Sequence, residues 1–90
     1  MSKAKRIQDL VRDGLYYLTE HADDEATAEG FDIYDVEHGI LTGKIRRTWP
    51  KEGKYEVIGV SIDGRRIGIV CRITQMGKVR IITVYEDRTA

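Results

Sequence analysis

Apolar positions along the chain change period once, near residue 44, and the change separates a helical half from a stranded half. In the first half, Ile7, Leu10, Val11 and Leu15 follow the i, i+3, i+4, i+8 spacing of one buried helical stripe, which predicts a helix over 2–13. Ser2 is its candidate N-cap and Gly14 its stop. Leu15-Tyr16-Tyr17-Leu18 is β-prone and predicts a short strand. Thr19 then caps a second helix running to about Glu29, whose Glu20, Asp23, Asp24 and Glu25 crowd the end that the helix dipole makes positive. Its expected inward positions, Ala22, Ala26 and Ala28, are small enough to let it approach a sheet closely. The third helix is the best bounded. Asp32 is the N-cap, Asp35 sits at N3, Phe31 can staple onto Val36, and Gly43 closes it.

From Lys44 the period is two. Lys44 to Trp49 is a strand that Pro50 must end, because proline has no N–H for the ladder. Tyr55 to Ile62 and Arg65 to Thr74 are joined through Asp63-Gly64 as a hairpin, and Gln75-Met76-Gly77 leads into the last strand, Val79 to Tyr85. Alternation assigns Ile58, Val60 and Ile62, then Ile67, Ile69, Cys71 and Ile73, then Ile82 and Val84 to the core face. Each would contribute roughly 1.5–3 kcal/mol if fully buried. The other face receives Tyr55, Val57, Gly59, Ser61, Gly68, Val70, Arg72, Val79, Ile81, Thr83 and Tyr85. The last strand is thus apolar on both sides, which places it inside the sheet, with the first strand beside it. The predicted class is α+β, in the order α-β-α-α-β-β-β-β, with a mainly antiparallel twisted sheet and helices largely on one face.

Ninety residues make one domain, residues 1–90, able to bury roughly 60–65% of its unfolded surface. A hydrophobic content of 41% and a charged content of 33% suit a folded soluble chain. No apolar run approaches a membrane span and no leader is evident, so a cytoplasmic protein without a membrane partner is expected. The single Cys71 has no internal disulfide partner. Net charge is zero but polarised: residues 1–43 hold four Lys/Arg and ten Asp/Glu, and residues 44–90 hold eleven and five. If the halves form different layers, the domain has an acidic side and a basic side able to receive an anion.

His21, in the first turn of the second helix, can be a proton-transfer group, a ligand or a plain surface residue. Glu25 stands one turn on, but two groups at i, i+4 supply half a metal site and no third is evident, so neither a metal nor a cofactor is expected. His38, beside Glu37, is expected to be exposed. Arg72 must reach solvent, an acid such as Glu20 or Glu25, or an anionic ligand. With Thr83 and Tyr85 on the same side of the neighbouring strand, it could hold a phosphate through a guanidinium and hydroxyl donors. Arg46, Arg47 and Trp49 form a basic–aromatic cluster suited to a nucleic-acid backbone and a stacked base, or simply a charged edge that resists aggregation. No Ser/His/Asp arrangement, P-loop or Gly-rich nucleotide motif is present.

Four segments, Thr19-Glu20-His21-Ala22, Phe31-Asp32-Ile33-Tyr34-Asp35-Val36, Gly43-Lys44-Ile45 and Ile82-Thr83-Val84-Tyr85, together resemble a small prokaryotic domain family of unknown function. That family is grouped with the RelE/ParE toxin-like superfamily, and its members often lie beside YgiT-type zinc-finger antitoxins. The resemblance covers about residues 15–87 and implies a RelE-like core there, preceded by the helix at 2–13. It further implies metal-independent cleavage of free or ribosome-bound RNA and an antitoxin partner. On that view His21 or Tyr85 would transfer protons, Arg72 with Thr83 would hold the phosphate, and Lys44, Arg46, Arg47 and Trp49 would bind RNA. Similar sequences commonly carry Arg four residues after the His, where this chain has Glu25. The alternative is a non-catalytic module of the same fold that binds a protein or forms a homodimer through its half-apolar sheet face.

Overall fold

The computed structural model describes residues 2–88 and shows the expected α+β order. The elements are α1 (Lys3–Arg12), β1 (Tyr16–Leu18), α2 (Glu20–Ala28), α3 (Ile33–Thr42), β2 (Lys44–Trp49), β3 (Lys54–Val60), β4 (Arg66–Ile73) and β5 (Val79–Glu86). The helix ends follow local chemistry. Ser2 Oγ accepts from Lys5 N, and Thr19 Oγ1 accepts from Ala22 N. Asp32 and Asp35 form a reciprocal capping box, the carboxylate of each accepting from the other's backbone N–H.

The strands form one sheet in the order β1-β5-β4-β3-β2. All neighbours are antiparallel except β1 and β5, which pair in parallel, Tyr16 opposite Val79 and Leu18 opposite Ile81. The last strand is therefore interior, flanked by β1 and β4, while β4 takes the middle. The helices cover one face: α3 packs on β3 and β4, α2 on β5, and α1 on α3. Of the alanines expected inward on α2, Ala22 and Ala26 are buried, but Ala28, in its last turn, is exposed. Ile7, Val11, Ala22, Ala26, Phe31, Val36 and Ile40 meet Val57, Ile67, Ile69, Cys71, Val79, Ile81 and Val84 in one core.

Two strands differ from their expected faces. In β3, Val57 and Gly59 point into the core, whereas Val60 is 37% exposed and Ile62, in the turn beyond the strand, is 62% exposed. This strand is apolar on both sides, so alternation alone does not orient it. Close packing does. A side chain at Gly59 would collide with the backbone carbonyl of Gly39 in α3, so the bare glycine face is the one that receives the helix.

In β5 the ladder slips by one residue. Val70 pairs with Thr83 but Cys71 pairs with Ile81, leaving Ile82 as the extra residue of a bulge. The slip changes the phase of the strand, so Val79, Ile81 and Val84 all face the core and Ile82 is only half-buried. Short β1 leaves the outer edge of β5 uncovered beyond Ile81. There Glu25 of α2 accepts the Val84 N–H at 3.1 Å.

Candidate functional site

The face of the sheet away from the helices gathers most of the polar candidates. It divides into an interlocked polar network at one end and a row of cations at the other. The network depends on Gly68 in β4. Having no side chain, Gly68 lets the Tyr85 ring lie across it, in the space a Cβ would otherwise occupy. Tyr85 can then reach past β4 to donate its hydroxyl to Glu56 Oε2 of β3 at 2.6 Å. Arg46 is the extra residue of a second bulge, between Ile45 and Arg47. From there it donates to Glu56 Oε1 at 3.2 Å, to the Tyr85 oxygen at 2.8 Å and to Asp87 Oδ2 at 3.0 Å. Arg66 also donates to Asp87 Oδ2, at 3.0 Å.

Glu56 and Asp87 are buried, so their charges need these partners. Burial pushes the Glu56 carboxyl upward, but hydrogen bonds from Tyr85 and Arg46 outweigh it and hold the group below its usual range. Burial, followed by the bond to the Glu56 carboxylate, pushes the Tyr85 hydroxyl up to about 12. Tyr85 is therefore a locked hydrogen-bond donor at neutral pH, poorly suited to accept a proton. A shallow groove of about 330 Å³ lies alongside, bordered by Lys44, Arg46 and Arg66 over Ile58 and Val60. Arg46 and Arg66 are already matched there by buried acids.

The cationic row is set by register. Lys54 of β3 lies opposite Arg72 of β4, and Arg72 lies opposite Arg80 of β5. Among the described residues, Arg72 and Arg80 form no ion pair, and the only ion pair of Lys54 is with the exposed Glu52, at 3.1 Å. Like charges directly opposite on neighbouring strands oppose sheet formation, so this placement is a cost to the fold.

The sequence-derived candidates are distributed as follows. Arg72, Thr83 and Tyr85 share the helix-free face, with Thr83 opposite Val70 and Tyr85 opposite Gly68. His21 is not with them. It lies on α2, which packs on the other face, 70% exposed and 3.3 Å from Glu25. Glu25 is occupied by His21 and the Val84 N–H, so it does not neutralise Arg72. Arg47 is exposed and reaches Glu56 only at 4.0 Å, its guanidinium 5.5 Å from the Trp49 ring centre. Lys44 is exposed opposite Ile58. His38 is half-buried, not exposed, its Nδ1 2.8 Å from the Val60 carbonyl oxygen. Among the described residues no cluster of His, Cys, Asp or Glu could hold a metal ion, and no helix is long and apolar enough to cross a membrane.

Sequence reasoning passed over Glu56, Asp87 and Arg66, and over Lys54, Arg80 and Tyr17. Glu56 left a signal: it is the lone acid of β3, between Tyr55 and Val57, and such an acid needs a cation facing it.

The sheet and its helix-free face lie almost wholly inside one match. A family model described as Domain of unknown function (DUF4258) covers residues 18–86. The chain belongs to the DUF4258 family. No curated protein and no solved structure matches it. The DUF4258 match spans the end of β1 through β5, so it includes Glu56, Arg72 and Tyr85 and leaves out α1, Tyr17 and Asp87.

Proposed function

We propose that this DUF4258 domain binds RNA on its helix-free sheet face and does so without cutting it. The observation that carries this reading is Arg72, exposed and without an ion pair among the described residues, held in register between Lys54 and Arg80. Three cations are kept in line at a cost to the sheet, and a polyanion would offset that cost. The resemblance to RelE-type proteins supports RNA as the polyanion. Arg72 is then the central phosphate contact, with Thr83 one residue pair away on the same face.

Cleavage needs a group beside the phosphate that can take a proton near neutral pH. Tyr85 is held protonated by Glu56, and His21 stands on α2 at the other face, so the arrangement favours binding over scission. A companion antitoxin is the partner the resemblance suggests, and it would be sought by co-purification.

The test uses the purified chain with a labelled mRNA fragment, with and without ribosomes, followed by gel shift and by product analysis. Salt-sensitive binding that Arg72→Ala weakens, with the RNA intact, is the expected result. Cut RNA would replace this reading with the ribonuclease one, and no binding at any salt concentration would remove both.

A further inference from the structure

The cationic row does not end at its cations. Trp49 of β2 lies opposite Lys54, and Tyr17 of β1 lies opposite Arg80. One line of register partners, Trp49–Lys54–Arg72–Arg80–Tyr17, therefore crosses all five strands of the sheet. Strands lie about 4.8 Å apart, so the line is about 19 Å long. Its ends are aromatic, its middle is cationic, and no carboxylate stands in it.

We infer that this row is a track for an unpaired RNA segment running across the β-strands, its phosphates on Lys54, Arg72 and Arg80 and a base stacked at each end, on Trp49 and on Tyr17. The inference rests on the RNA-binding reading and adds to it the form of the RNA, its direction and two base-contacting residues. Tyr17 is 43% exposed beside Arg80, where a solvent-facing aromatic adds little to the fold. Trp49 is partly engaged: Lys54 and Arg47 lie 5.4 Å and 5.5 Å from its ring centre. A base stacking there displaces one of those cations, which is then released toward the phosphates. Stacking on both rings requires bases that are not paired to a second strand, so a duplex offers the row only its phosphates.

Trp49 is the single tryptophan of the chain, so its fluorescence reports on one end of the track. The experiment titrates the protein with a short oligouridine and with a blunt RNA duplex of equal length. Variants are read by anisotropy of labelled oligouridine. Expected are quenching by oligouridine, weaker binding of the duplex, and a roughly five- to hundred-fold loss of oligouridine affinity for Tyr17→Leu and for Trp49→Leu. Tyr17→Phe and Trp49→Phe should retain affinity. With three phosphates neutralised, the slope of log affinity against log salt is about −2, and Arg80→Ala reduces its magnitude by about 0.7.

Circular dichroism and melting of each variant separate lost binding from lost fold. Duplex bound as tightly as oligouridine, or full affinity in both Leu variants while Arg72→Ala still weakens binding, would overturn the track and leave the RNA-binding reading standing. Absence of any RNA binding overturns both.

Discussion

Gly68→Ala tests the sheet-face network at its narrowest point. In an ordinary strand, replacing glycine by alanine gains about 0.5–1 kcal/mol, because alanine loses less backbone freedom on folding. At position 68 the added methyl would overlap the Tyr85 ring. Overfilling a packed site costs about 1–3 kcal/mol. Moving the ring aside also draws the hydroxyl away from Glu56 Oε2, now at 2.6 Å. Glu56 is only 7% exposed, so water replaces that donor poorly. A lost bond to a charged group costs about 1.5–3 kcal/mol. The balance is a destabilisation of about 2–5 kcal/mol, and at about 4–8 °C per kcal/mol for a domain of this size the melting temperature falls by at least about 8 °C. Urea unfolding followed by circular dichroism measures it. The same substitution in a Tyr85→Ala background meets no ring and is expected to be neutral or mildly stabilising, giving a coupling energy above about 1 kcal/mol. A Gly68→Ala protein as stable as its parent, or equal losses in the two backgrounds, would refute the account of why Gly68 is bare.

Glu56→Gln probes the same network through pH. The folded carboxyl is held below the unfolded value of about 4.3, so its stabilising contribution is fully present above that pH and fades as pH falls through the folded value. The variant is therefore expected to melt lower than the parent at pH 7, with the gap closing in acid; a gap that persists unchanged to about pH 3 would contradict the assignment. Glu25→Ala removes the acceptor of the Val84 N–H and is expected to cost about 1–3 kcal/mol. Hydrogen exchange reads this directly: the Val84 amide should exchange faster than in the parent, and an unchanged rate would mean that the bond contributes nothing.

What could be read from the sequence was whatever local chemistry decides. The Asp32/Asp35 box, the Ser2 and Thr19 caps and the stop at Pro50 each depend on residues within one turn of one another, and all appear where expected. The face of β3 was not legible, because Tyr55 and Val57 compete with Ile58 and Val60 on equal terms and the decision rests on Gly39 meeting Gly59, residues twenty apart in sequence. The polar network was hidden for the same reason. Arg46, Glu56, Tyr85 and Asp87 come from three strands and the end of the sheet, and nothing local joins them. The β5 bulge did leave a trace. Arg80 and Thr83 are the polar positions of Val79–Val84 and stand three apart, so no uninterrupted two-residue period can put both on one face.

That one extra residue also decides whether the helix-free face can act as a unit. In a regular β5, Tyr85 and Thr83 would share a side with Ile81 and Val79, and Arg80 would share the opposite side with Ile82 and Val84. Either the core would receive Arg80, an uncompensated charge, or it would receive Tyr85, whose hydroxyl would leave Glu56. The slip at Ile82 avoids both outcomes. Val79, Ile81 and Val84 go inward together, while Arg80, Thr83 and Tyr85 go outward together. Beyond Ile81 the outer edge of β5 has no strand beside it, and Glu25 of α2 accepts the Val84 N–H there. Glu25 is thus better explained by the strand it secures than by a ligand it might contact. On the opposite face, before the bulge, Arg80 stands in line with Arg72 and Lys54.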